Sequence, residues 1–379
     1  MPPKGIDPDV LEYVDPKFTA IDTKLDTILT ELSGLKTDIV ALHNRVTTLE
    51  AVSPGSGTPG TPLEEQVSNN AALLIDHENR VTILESGVII DPPVVTDPPA
   101  TDPPSDFDLM GAVAASSHGD LINVPAGTYI VGQMFIGHNL NIVGDGTVTL
   151  KPSGPLSKGF FATSRGADVY FENIVFMDAR NSDNNGAGIR HQGHNLIAVN
   201  CGFVRCQDGI LSANDDGSQT GFNRLVNCVF DGCGWSDGRA HGMYFNECDE
   251  LVLENVIVKN TDTGHDVKSL AKVTRITGSS LGLGSLNSYN IDCSWGGDLI
   301  VVDTDLIQIS YPAGNHTMVN YDTSRGGPEG NVSFTGGSIN NDQDPGTFFR
   351  TPTSVVAQLS GVTINNNANS WTLGPVNQS

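Results

Sequence analysis

The chain has 379 residues, with 44 Asp or Glu against 20 Lys or Arg and a formal charge of −24. Such an excess of carboxylates argues against a surface built for nucleic-acid phosphates. The opening MPPKGIDPDV lacks the apolar stretch of a signal peptide, and no apolar run is long enough to span a bilayer, so neither ordinary export nor membrane insertion is expected.

Residues 1–17, with Pro2, Pro3, Pro8 and Pro16, read as extended chain. From Phe18 the apolar positions Ile21, Leu25, Ile28, Leu32, Leu35, Ile39, Leu42, Val46 and Leu49 alternate spacings of three and four. That is the 3.5-residue repeat of a left-handed coiled coil, whereas a helix packed on a globular core keeps a 3.6 repeat. With Phe18 at a and Ile21 at d, the Leu25/Ile28 pair favours more than two strands. Arg45 then falls at g and Glu50 at e, placed to pair between neighbouring helices.

A second segment, 63–86, repeats the phrase, with Arg80 and Glu85 in the same relation and polar Asn70 and His77 in the seam. RVTTLE and RVTILE are similar to a trimerisation motif of parallel three-stranded coiled coils, which implies a homotrimer. The Gly/Pro/Ser-rich stretch 51–62 reads as a flexible joint. Residues 87–105, with three DPP units, read as a semi-rigid polyproline spacer.

From 106 to 379 the composition shifts to Gly, Asn, Asp, Val and Ile. FDLMGAVAAS predicts a short amphipathic helix with Leu109 and Val113 on one side, and DLINVPAGTYIV predicts two strands around a Pro-Ala-Gly turn. Asn173, Asn200, Asn227 and Asn255 then recur 27, 27 and 28 residues apart in YFENIVF, AVNCGFV, LVNCVFD and VLENVIVK, with weaker echoes in RITGSSL, VVDTDLI, SFTGGSI and QLSGVTI. A unit this short buries its apolar side only by stacking on its neighbours, so the period predicts a parallel β-helix. Cys201/Cys228 and Cys206/Cys233 share the spacing of 27 and are expected as stacked, reduced interior thiols.

Strand alternation applied to AGIRH, DGILS, HGMYF, HDVKS and YNIDC turns Ile189, Ile210, Met243, Val267 and Ile291 inward. Arg190, Leu211, Tyr244, Lys268 and Asp292 then share one outer face, with Asp208, His241 and His265 as a second column at the preceding turn. Arg190, Tyr244, His265, Lys268 and Asp292 are therefore candidate glycan-binding residues. Asp215, Asp216, Asp237 and Asp266 are expected in the connecting loops nearby. Trp295, Tyr311, Tyr321, Phe348, Phe349, Trp371 and the loop SRGGPEGN are candidate contacts, to sugar or to a second subunit.

The repeat region resembles the right-handed parallel β-helices of the pectate-lyase type, whose N-terminal cap the first helix resembles. The span HGMYFNECDELVLENVIVKNTDTGHDVKSLAKVTRI resembles β-helix repeat proteins of bacteria and their phages. Joined to a trimeric stalk and a proline spacer, the arrangement resembles a bacteriophage tailspike or fibre. That resemblance implies an external virion appendage assembled in the host cytoplasm, with residues 1–17 held by a tail, baseplate or capsid protein. Its ligand would be host-surface polysaccharide.

Cleavage is a separate question. ANDDG and AHG resemble phrases of polygalacturonases, which makes Asp208, Asp215, Asp216 and His241 candidate catalytic residues of a hydrolase. NTD at 260–262 follows those phrases rather than preceding them, and no Arg-Ile-Lys phrase follows. Arg190 and Lys268 with Asp266 and Asp292 would suit a calcium-assisted lyase, although no lyase motif is intact; no metal or cofactor is expected. Three readings stay open: an attachment spike, a spike with depolymerase activity, and a purely structural fibre.

Overall fold

The computed structural model describes residues 107–212, 220–235, 239–309 and 317–379. The expectations for the stalk, including Arg45, Glu50, Arg80 and Glu85, lie outside these residues, as do those for Asp215, Asp216, Asp237 and Tyr311.

The described chain opens on the helix Leu109–Ala115, capped by the Asp108 carboxylate, which accepts from the Gly111 amide at 2.9 Å. Leu109 and Val113 are its buried side, as the spacing predicted. Among the described residues no helix follows it, and the registered strand pairs are parallel, from Asp120–Val131 against Leu140–Pro152 to Ala357–Ser360 against Val376–Gln378. The molecule is a parallel β-solenoid. Where two strands around a turn are expected, Asp120–Val131 is one strand with a register shift between Pro125 and Gly127. A bulge absorbs the extra residue and leaves the pairing on both sides intact.

Stacking puts like residues above like. One interior row runs Ile122, Ile142, Phe171, Ala198, Leu225, Leu253, Ile276, Val301, Phe334 and Leu359 through successive registered pairs. A second interior stack is aromatic: Phe176 on Phe203 at 5.0 Å and Phe203 on Phe230 at 4.5 Å, both within 10° of parallel. Cys201, Cys206, Cys228 and Cys233 are buried free thiols beside these rows.

The asparagine period has a conformational cause. Asn173, Asn200, Asn227 and Asn255 all hold φ between 52° and 58°, the left-handed region where Asn is tolerated among L-residues. Each side-chain amide donates to the one a coil before it, Asn200 to Asn173 at 3.3 Å, Asn227 to Asn200 at 3.2 Å and Asn255 to Asn227 at 3.2 Å. Gly278, Asp303, Gly336 and Gly361 continue the positive φ in the later coils. A Cβ on Gly278 would sit 2.7 Å from Asn255 Oδ1, so glycine follows where the amide ladder stops.

Trp295, Tyr321, Phe348 and Phe349 are buried, which corrects their reading as surface contacts. Strands carry Tyr321, Phe348 and Phe349 into the core, while Trp295 is covered in a turn, and the Tyr321 hydroxyl donates to Gly297 O at 2.9 Å and accepts from Gly330 N–H at 2.7 Å. Asp266 is likewise interior, not a loop carboxylate: Asn287 and Asn290 both donate to its Oδ2. No helix among the described residues is long and apolar enough to cross a membrane.

Candidate functional site

The outer face predicted from alternation is present in register. Ile189, Ile210, Met243, Val267 and Ile291 pair in sequence as inward residues, and Arg190, Leu211, Tyr244, Lys268 and Asp292 pair beside them on the outside. Two further rungs were not anticipated: Asp292 pairs with Asn320, and Asn320 with Arg350. The steps from Asp292 to Asn320 and from Asn320 to Arg350 are 28 and 30 residues, within the range of 21 to 33 spanned by the earlier rungs. The signal available was the same alternation in TMVNY and GTFFR, where Val319 and Phe349 are the inward members.

The rungs are chemically linked. Lys268 Nζ lies 5.0 Å from the Tyr244 ring centroid and 3.8 Å from Asp292 Oδ2. Asp292 Oδ1 accepts from Asn320 Nδ2 at 2.7 Å, and Asn320 Oδ1 accepts from Arg350 Nε and Nη2 at 3.2 and 3.0 Å. Burial pulls the Lys268 ammonium below its ordinary pKa, opposed by Asp292. Burial raises the Tyr244 phenol, opposed by the Arg325 cation nearby.

Beside this row stands the turn column. His241 and His265 stack at 4.6 Å and 16°, and Tyr289, also unanticipated, continues the stack 4.8 Å from His265. The Arg350 guanidinium reaches over the Tyr289 ring at 5.4 Å and donates to its hydroxyl. His241 Nδ1 accepts from the His265 amide at 3.1 Å, so the neutral imidazole carries its proton on Nε2. Burial holds both imidazoles neutral, His265 down to about 3 and His241 well below its usual value. His265 Nε2 lies 3.5 Å from Asp292 Oδ2.

Asp208 begins the column: its Oδ1 accepts from the His241 amide at 2.7 Å. Burial drives its carboxyl up to about 8, so it is protonated at neutral pH. Its Oδ2 finds no hydrogen-bond partner among the described residues.

Arg325 comes from the SRGGPEGN loop. Its strand, Thr317–Tyr321, lies three rungs beyond Tyr244 along the outer row, roughly 14 Å at the usual strand spacing. The loop lies against the preceding coil, where Glu329 pairs with Gly297. Gly297 N–H donates to Pro328 O at 2.8 Å, and a Cβ on Gly327 would sit 1.7 Å from Trp295 O. Only a glycine lets the loop lie this close to that backbone.

Among the described residues no three His, Cys, Asp or Glu side chains converge as a metal site. No family model matches the chain, and no curated protein does. Two solved structures are similar: a Geobacillus virus E2 protein, ORF18, at 13% identity and TM-score 0.48, and tailspike protein gp49 of Acinetobacter baumannii bacteriophage Fri1, a capsular polysaccharide depolymerase, at 12% and 0.36. Each alignment covers 68% of this chain, but 51% and 57% of the respective partners, so this chain spans little more than half their length.

Proposed function

We propose that the solenoid is the host-glycan-binding domain of a homotrimeric bacteriophage appendage, a tailspike or fibre carried on the virion. The observation that carries the reading is the unbroken outer row from Arg190 through Tyr244, Lys268 and Asp292 to Asn320 and Arg350. Stacked strands hold cations, amides and a tyrosine at fixed intervals on a rigid support, which suits a polymer that repeats along its own axis. The stalk phrases RVTTLE and RVTILE supply the homotrimer, and residues 1–17 the attachment to a tail, baseplate or capsid protein.

Attachment is favoured over cleavage. Hydrolysis needs two carboxyl groups across the scissile bond. Asp292 is committed to Asn320, Ser294 and Lys268, and Asp208 is almost wholly buried. The depolymerase reading has one observation in its favour: Asp208 keeps its proton near neutrality, as a general acid must. Asp215 and Asp216 would then provide the second carboxylate.

The test is incubation of the purified full chain with surface polysaccharides from candidate host bacteria, scoring binding and newly formed reducing or unsaturated ends. Binding without new ends is the expected result. New ends that disappear in D208N or in the D215N/D216N double variant would make the protein a depolymerase, and absence of binding would leave a structural fibre.

A further inference from the structure

The chain as a whole carries more than two acidic residues for each basic one. The outer ladder inverts that ratio. Three cations, Arg190, Lys268 and Arg350, stand on its row against one carboxylate, Asp292, and Arg325 lies near Tyr244. Asp208, in the neighbouring turn column, keeps its proton at neutral pH.

Accessibility divides the cations. Arg190 is buried and Lys268 is half-buried against Tyr244, whereas Arg325 and Arg350 are exposed. Arg350 donates to the Asn320 amide oxygen and to the Tyr289 phenol, and Arg325 lies in the electrostatic surroundings of Tyr244. Among the described residues, Arg350 is thus oriented by neutral groups. Planar guanidinium forks fit carboxylates bidentately. The surrounding acidic surface disfavours an anionic polymer anywhere it lacks such a patch.

We propose that this ladder selects an anionic polysaccharide, one carrying carboxylate groups, with Arg350, held by Tyr289 and Asn320, and the exposed Arg325 as the residues that meet those groups. This rests on the glycan-binding reading and narrows it to a substrate class.

The experiment uses the full chain on an array of bacterial surface polysaccharides containing acidic and neutral members, each acidic member also present with its carboxyl groups reduced to alcohols. The expected result is binding to acidic members only, lost on carboxyl reduction and weakened by added NaCl. R325Q and R350Q should each lower affinity about tenfold, the order expected for one charge-assisted hydrogen bond, with the melting temperature unchanged. Equal binding to native and carboxyl-reduced forms, or binding to neutral members alone, overturns the anionic assignment and leaves glycan attachment standing. No binding on any arm overturns both.

Discussion

The imidazoles of His241 and His265 lie face to face, 4.6 Å apart, each buried and each held neutral. A histidine whose folded pKa is depressed binds fewer protons folded than unfolded between the two values. Stability therefore rises with pH across that window and is lost on acidification. For His265 the window runs from about 6.5 down to about 3. The H265Q variant should unfold with a shallower dependence on pH in that range, measured as thermal midpoints at successive pH values. An unchanged slope would mean that His265 is solvated.

Asp208 acts in the opposite sense. Its folded value of about 8 lies above its ordinary 3.8, so the folded state keeps a proton that the unfolded chain releases. Stability from this group declines as pH rises from about 4 to about 8 and changes no further beyond. D208N should remove that decline, so its melting temperature relative to the parent should improve from pH 5 to pH 8. A constant difference across the range would refute the assignment.

Asn227 both donates to and accepts from its ladder neighbours while holding φ at 53°. Asn227→Ala should cost about 2–3 kcal/mol, combining left-handed strain with the lost amide bonds. Asn227→Gly relieves the strain and should cost about 1 kcal/mol, leaving the hydrogen-bond share alone. Denaturant titration distinguishes the two, and equal costs would mean that strain plays no part.

Gly327 lets the loop of Arg325 lie against Trp295. Gly327→Ala should displace the loop and with it Arg325, weakening glycan binding about tenfold, comparable to R325Q. Its melting temperature should fall as well, because the added Cβ meets the Trp295 backbone, whereas that of R325Q should not. Binding at parental affinity would show that the loop takes no part in recognition.

The stalk makes its own prediction. Replacing Arg45 and Arg80 together by Ala should shift sedimentation toward monomer more than replacing Asp26 and Asp76, which fall at outward b and c positions. Equal effects would reject the register.

The solenoid was legible because its physics is local and repeated. Asn at a fixed interval marks a left-handed residue once per coil, and two-residue alternation then assigns faces without further information, which is why Arg190, Tyr244, Lys268 and Asp292 fell into place. Asn320 and Arg350 continue the same register, and the alternation in TMVNY and GTFFR was enough to place them. Burial was harder to read. Asp266 looks like a loop carboxylate in GHDVKS, yet Asn287 and Asn290, more than twenty residues away, make it an interior group. Trp295 and Tyr321 misled for the same reason, since an aromatic in a Gly-rich stretch gives no sign of which side the backbone will turn.

In a stack where each coil touches only the next, a pull on one end unzips coils one at a time. Arg350 breaks that rule, because its guanidinium reaches past the rung of Asn320 to the hydroxyl of Tyr289, two coils earlier. Tension that peeled the solenoid from its far end would meet the coils between these two residues as one block, and the force needed would jump there.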